Sequence, residues 1–312
     1  MPILRFIPEA TKIDFVGVRY FAFALDGLLL LASIISIAVH GFSLGIDFTG
    51  GLALEMKAAQ HIEIGAVRSQ IDTLGFNDVK IQYFGGGKCD QPAESCVLIR
   101  AQPKANQTGD AAADEIKTRL GSAFEVRNKQ VIGPQVSHEL FIDGIKATVL
   151  AIVAIGLWVA VRFEWQYGIS AAFATGHDVL VTAGLFSILQ LDFTLTSVAA
   201  LLTLAGYSIN DTVVVFDRIR ENRRKYKRMP LGELINLSTN QMLTRTILVS
   251  VATAVSIIPL MIFGGPTLRD FSGAILFGIV VGTFSSIYVA SALLLYLPAP
   301  AGATTDAATA TE

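Results

Sequence analysis

The sequence predicts a membrane protein: a bundle of six transmembrane helices, with a small α+β domain inserted between the first and the second. Three observations carry that class. Six apolar runs alternate with short charged connectors, and about 20 apolar residues are enough to cross the hydrocarbon core as a helix. Only 16% of the 312 residues are charged and 52% are hydrophobic, whereas a soluble domain is nearer a quarter charged. After the first apolar run, a stretch of roughly a hundred residues switches to the short alternating patterns of strands and amphipathic helices.

Residues 1–19 read as a cytoplasmic tail carrying Arg5, Lys12 and Arg19. The first span, 20–39, lacks a small-residue cleavage site, which predicts a permanent helix in place of a signal peptide. The α+β domain covers 40–142. It opens on Gly45-Ile46-Asp47-Phe48-Thr49-Gly50-Gly51, a turn-rich segment without the Lys and Ser/Thr of a phosphate loop, read as a shaped connector from helix to strand. Leu52 to Met56 alternates like a strand, and Ile62 to Leu74 places Ile64, Val67, Ile71 and Leu74 on one helical face. Val79–Tyr83 and Cys96–Ile99 are strand-like, Asp110–Leu120 is helical and Phe124–Ile132 is a last strand. That β-α-β-β-α-β order is the ferredoxin-like split unit. Gly85-Gly86-Gly87 and the loop between Cys89 and Cys96 join its middle strands. The two cysteines fit no four-ligand metal site. Outside the cytosol a small-loop disulfide is expected of them, with two free thiols as the alternative. Val131-Ile132-Gly133-Pro134 predicts a strand end, then a helix with Pro at its first position.

The remaining spans are 143–161, 168–189, 193–216, 246–263 and 271–297, the last long enough to tilt. Gly264-Gly265-Pro266 breaks the chain before it. Residues 217–245 are expected to form a basic cytoplasmic loop, and 298–312, rich in Ala, Thr and Pro, a disordered cytoplasmic tail. Seven cations (Arg218, Arg220, Arg223, Arg224, Lys225, Lys227, Arg228) lie between spans four and five, and Arg162 lies between two and three. The opposite short loops hold only Arg269. The positive-inside rule therefore predicts cytoplasmic termini and an α+β domain outside the cytosol. Trp158, Trp165 and Tyr167 sit where an interfacial belt belongs. The basic run serves topology and lipid head groups, or docks a cytosolic partner. A net charge of −2 is near neutral and says nothing about nucleic acid, no nucleic-acid partner is expected, and no internal repeat is visible.

The chemistry concentrates at Asp211, in Gly206-Tyr207-Ser208-Ile209-Asn210-Asp211-Thr212 of span four. A carboxylate in a spanning helix costs several kcal/mol unless paired, hydrated or protonated. It lies roughly 10 Å inside Arg218 along the helix. Burial disfavours its charged form and a nearby cation favours it, so a moving partner would change its protonation. The competing reading is a permanent ion pair locking two helices. Arg245, opening span five from the same side, is the expected partner. Thr246, Ser250, Thr253 and Ser256 follow it on one face, as helix glue or the lining of a wet path. Asp178, next to His177 in span three, is a secondary candidate that extends a proton path or accepts structural hydrogen bonds. Asp26 reads as a snorkelling local pair with Arg19. Ala274, Gly278, Gly282, Ser286 and Ala290 form a small-residue ridge for close helix packing. No nucleophile–base set and no metal cluster is visible, so a hydrolase or metalloenzyme is not expected.

These segments resemble the SecF family of protein-export membrane proteins. The resemblance rests on Gly45–Gly51, Ile132-Gly-Pro-Gln-Val-Ser137, Arg162-Phe-Glu-Trp165, His177-Asp-Val179, Ala199–Thr203, Gly206–Asn222 and Thr244-Arg-Thr246, in order over most of the chain. It implies an inner-membrane accessory subunit of the bacterial Sec translocon, in the resistance-nodulation-division superfamily. It implies pairing with SecD, work beside SecYEG, SecA, YajC and YidC, and unfolded secretory polypeptides as substrate. It also implies use of the proton-motive force, with protons as coupling ion and no other cofactor. Asp211 and Arg245 match that family's proton-site carboxylate and intramembrane Arg, while Asn210 and Thr246 flank them in the matched motifs. A further Asp would come from SecD. The rival expectations are a purely structural translocon adaptor and a small-molecule proton antiporter.

Overall fold

The computed structural model describes residues 11–83, 95–105 and 107–298. Helix α1 (Arg19–His40) leads through a two-residue strand β1 (Ser43–Leu44) and one helical turn α2 (Ile46–Thr49) into the α+β domain. Its elements are β2 (Gly51–Ala58), α3 (Ile64–Asp72), β3 (Asn77–Tyr83), β4 (Cys96–Gln102), α4 (Gly109–Leu120) and β5 (Phe124–Ile132). The sheet order β3-β4-β2-β5 is antiparallel throughout, as the split β-α-β unit requires. Leu52, Leu54 and Met56 on β2 and Val97 and Ile99 on β4 face Val67 and Ile71 of α3 and Ala112 and Ile116 of α4 in one apolar core. The Thr108 hydroxyl caps α4 by accepting from the Ala111 amide at 3.3 Å, and Gly121, at φ +73°, ends it.

The bundle continues with α5 (Pro134–Arg162), α6 (Trp165–Leu189), α7 (Leu195–Lys225), α8 (Leu231–Phe263) and α9 (Gly265–Ser285). A π-helical segment, Ser286–Ala290, passes α9 into α10 (Ser291–Leu293). Among the described residues six helical stretches are long and apolar enough to cross a membrane, the last being Leu268–Leu293. Pro134 stands at the start of α5, where its missing N–H costs nothing. Thr194 and Ser197 close a capping box on α7.

Three expectations are corrected. Residues 217–245 are no loop: α7 runs to Lys225 and α8 begins at Leu231, so only Tyr226–Pro230 is non-helical. The cause is that this stretch remains rich in good helix formers and holds no Gly or Pro before Pro230. The Gly45–Gly51 segment is more than a connector, since it folds as α2 and enters the bundle's hydrogen bonding. Asp26 does not pair with Arg19. Its carboxylate is 4% exposed, while the Arg19 guanidinium donates to Tyr20, Tyr296 and the Val16 carbonyl. Of the two cysteines, Cys89 lies outside the described residues. Cys96 is buried at the start of β4 and disulfide-bonded.

Candidate functional site

The helices enclose two groups of ionisable side chains on either side of α7. Asp211 and Ser208 lie one turn apart on that helix and are 3% and 1% exposed. Asp211 looks toward α8, where its electrostatic neighbours are Ser250 and Arg245. One of its carboxylate oxygens, Oδ2, is buried without a hydrogen-bond donor. Arg245 does not close on it: no ion pair within 4 Å joins them, and Arg245 stands at the exposed face of α8. Around the carboxylate runs a hydroxyl chain in which Tyr207 donates to Ser250 at 3.1 Å, Ser250 lies 2.8 Å from Thr283, and Ser250 donates to the Thr246 carbonyl. The buried Thr246 hydroxyl has no partner. Asn210 is exposed on the outer face of α7, with Ala199, Thr203 and Gly206. Their spacing of four, three and four residues makes one uncovered stripe.

The second group lies between α1, α6, α7 and α9. Asp178 is fully buried. Its Oδ2 accepts the Ser208 hydroxyl at 2.5 Å and its Oδ1 lies 3.1 Å from His177 Nδ1. On the other side of the imidazole, Nε2 is 4.0 Å from Asp26 Oδ1. A Cβ added at Gly282 would sit 3.3 Å from both Asp178 Oδ2 and Ser208, so only the bare backbone of α9 fits there without displacement. A Cβ at Gly278 would come closer still to the Leu204 side chain of α7. A hydrogen bond of 2.9 Å between Thr212 and Ser286 joins α7 to the π-helical segment beside both groups.

A third set of contacts ties the α+β domain to the bundle. Strand β1 pairs in parallel with β6 (Asp192–Phe193), which is separated from α7 only by the helix cap Thr194. Asp47 of α2 accepts from the Leu195 amide at 2.9 Å, a carboxylate at a helix N-terminus where donors are unsatisfied and the dipole favours negative charge. Arg100 of β4 forms an ion pair with Asp192. Gly50 and Gly51 take φ of +73° and +125°, and side chains there would press on Pro134 and on the Ala101 carbonyl, which is why two glycines stand together at this crossing.

Of the residues expected from the sequence, the structure places Asp211, Asp178 and the α9 glycines around α7 and leaves Arg245 on the exposed face of α8. The sequence reading missed Asp26, Asp47 and Tyr207. Asp26 was legible as a lone charge within an otherwise uncharged run, but its two-turn spacing from Arg19 hid it. Asp47 stands in the Gly45–Gly51 segment, but its contact is not legible there, because it is with a backbone amide 148 positions away.

Six spanning helices with ionisable groups inside and apolar side chains outside define a multi-pass membrane protein whose polar chemistry lies within the bundle. Two family descriptions match the chain: Protein export membrane protein SecD/SecF, C-terminal, over residues 112–299, and the SecD/SecF GG Motif over residues 35–60. Among similar curated proteins, Protein translocase subunit SecF of Cereibacter sphaeroides is 39% identical over 299 residues, 94% of this chain and 92% of the relative. The protein of that name from Rickettsia prowazekii is 37% identical, with 93% of each covered. The chain therefore belongs to the SecD/SecF family of protein-export membrane proteins. The solved structure of SecDF, a translocon-associated membrane protein from Thermus thermophilus, superposes with a TM-score of 0.81 at 34% identity. A SecDF structure in a super-membrane-facing form gives 0.67. Both matches cover 94% of this chain, which spans 39% of the SecDF chain.

Proposed function

We propose that this chain is the SecF-type subunit of a Sec translocase accessory pair in the bacterial inner membrane. With a SecD partner it uses the proton-motive force to promote the late export of unfolded polypeptides. The single observation that carries the reading is Asp211: a buried carboxylate in a spanning helix, one oxygen unpartnered, with an arginine in electrostatic reach but not paired to it. Such a group is costly to hold charged, and the open geometry leaves room for a proton or a partner's side chain. The uncovered stripe of Ala199, Thr203, Gly206 and Asn210 beside it supports a docked SecD helix, since polar side chains facing lipid are unfavourable.

In this account a proton from the outside neutralises Asp211 or a SecD carboxylate facing it. Its hold on Arg245 weakens, α7 and α8 repack, and the α+β domain moves through the junction of β1, β6 and Asp47. Each proton crossing about 100 mV supplies about 2.3 kcal/mol, enough to bias a two-state element. Protons are the only coupling ion required, and no enzymatic step is involved. The basic end of α7 faces the cytoplasm with both termini, and SecYEG, SecA, YajC and YidC are the proposed neighbours.

The test is export of a secreted polypeptide into inverted vesicles with and without a proton gradient. Asp211→Asn, reconstituted with SecD, should lose the gradient-dependent stimulation while still assembling. Full stimulation in that variant would leave the chain as a structural adaptor.

A further inference from the structure

Proton coupling at Asp211 leaves the second buried group without a role. We propose that Asp26, His177 and Asp178 form a second proton-binding site, contained wholly within this chain, in which the His177 imidazole, held at Nδ1 by Asp178, exchanges a proton with Asp26. Its bearing on export rests on the function proposed above, but its existence does not.

The geometry is that of a relay with one contact made and one open. On the Asp178 side every atom is engaged: Ser208 at one oxygen and His177 Nδ1 at the other. On the Asp26 side the contact is open: both carboxylate oxygens of Asp26 and Nε2 of His177 are buried without a hydrogen-bond partner, Nε2 stands 4.0 Å from Oδ1, and beside the carboxylate the imidazole's other neighbour there is the Asp26 backbone. Unsatisfied polar atoms on two side chains that are 4% and 5% exposed are expensive, and a proton held between them satisfies both.

Charge counting leads to the same place. With a neutral imidazole and two ionised carboxylates the group carries two negative charges inside the bundle. Among the described residues no cation faces it from any packed element. On α1, Arg19 opens the helix and is held by Tyr20 and Tyr296. On α6 the only other titratable side chain is Tyr167, and α5, packed behind it, has none between Lys146 and Arg162. On α7, Tyr207 and Asp211 turn toward α8. On α9, Arg269 and Asp270 lie at the far N-terminal end, and the π-helical segment adds only Tyr288. A buried charge without a partner is neutralised in place of being tolerated, and protons are the only neutralising charge these elements offer.

The step balances without another reagent. The imidazolium Nε2–H bond breaks as an O–H bond forms on Asp26, leaving a neutral imidazole whose Nδ1–H still donates to Asp178. A proton from the aqueous phase restores the imidazolium, and the Asp26 proton leaves to water. Two neighbours feel the change. Asp178 lies against the position where Gly282 has no side chain, so a shift of its carboxylate bears on α9. Further along the same α1–α6 seam, Ser33 lies against Gly184 and Ser36 lies 2.9 Å from Ser187, so closing or opening the Asp26–His177 contact tilts α1, the helix that carries β1 and the α+β domain.

The test is nitrogen-15 NMR of histidine-labelled full chain in lipid nanodiscs, with the His177 signal assigned among four histidines through His177→Gln. The site predicts that His177 passes between doubly and singly protonated forms as pH rises. It also predicts that the midpoint moves in Asp26→Asn and Asp178→Asn and is retained in Asp211→Asn. If Asp26→Asn fails to insert, Asp26→Glu serves, because displacing the carboxyl must also move the midpoint. A His177 that keeps one tautomer at every pH, or a midpoint indifferent to Asp26, overturns the proposal. A normal His177 transition beside undiminished export in Asp211→Asn supports this site and refutes the export reading. A silent His177 beside export that needs Asp211 does the reverse.

Discussion

In the α+β domain, Leu52, Leu54, Ile71, Val97, Ile99 and Ile116 are sealed inside while Glu125, Arg127 and Lys129 stand on the outer strand; in the bundle, Leu28, Val153, Val255, Ile262 and Val280 face outward while Asp26, His177, Asp178 and Asp211 are sealed inside. The same chain therefore runs two opposite burial rules. Water drives the first by excluding apolar surface. Lipid offers no such drive between helices, so the second depends on close backbone approach and on hydrogen bonds among buried polar groups. Each half should fail in its own way.

The largest effect is expected where backbones touch. A Cβ at Gly168 of α6 would lie 2.6 Å from the Gly156 carbonyl oxygen of α5, and backbone cannot step aside. Gly168→Leu should therefore abolish the folded bundle, read as loss of the monodisperse peak of the purified protein in mild detergent. Retention of a native profile would mean that α5 and α6 slide freely. In the domain, Ile99→Ala should cost about 2–5 kcal/mol through lost burial and a cavity. Hydrogen exchange should then quicken across β2, β4 and α4 and leave the bundle unchanged; uniform quickening would erase the contrast between the halves.

The junction should respond more weakly. Arg100 and Asp192 are partly exposed, so solvent screening holds the cost of Arg100→Ala to about 1 kcal/mol, seen as faster exchange at β1 and β6 alone. The smallest effect is expected at Asp14, before α1. The Gly17 amide and the Asn236 side chain donate to its carboxylate at 2.8 and 2.7 Å and hold it below the ordinary aspartate range. A lowered value means the stabilisation is present above the ordinary range and is lost as pH falls through the folded-state value. Protection of the Gly17 amide should decline on acidification in the native chain, and Asp14→Asn should be insensitive to pH there.

The two halves also differ in how readily the sequence discloses them. Period-two alternation and a core of evenly spaced aliphatics make β2, β4 and β5 legible, because burial in water writes itself into local pattern. Span lengths are legible for the same reason, since twenty apolar residues have few other uses. The helical stretches Asp217–Lys225 and Leu231–Arg245 are hidden because charge reads as loop when hydropathy is the only guide. Asp26 and Asp47 are hidden because helix packing alone brings the first up to His177 and the second meets a backbone amide, and neither relation has a period. Asp211 was visible because it breaks the membrane rule, whereas the openness of its contact with Arg245 exists only in three dimensions.

The account turns on whether Asp211 changes ionisation during work. Infrared difference spectroscopy of the chain reconstituted with SecD, with isotope-labelled aspartate and a proton gradient switched on and off, reads that directly. The account predicts a protonated-carboxyl band that appears and disappears with the gradient and is missing from Asp211→Asn. Identical difference spectra from the native chain and that variant would contradict it.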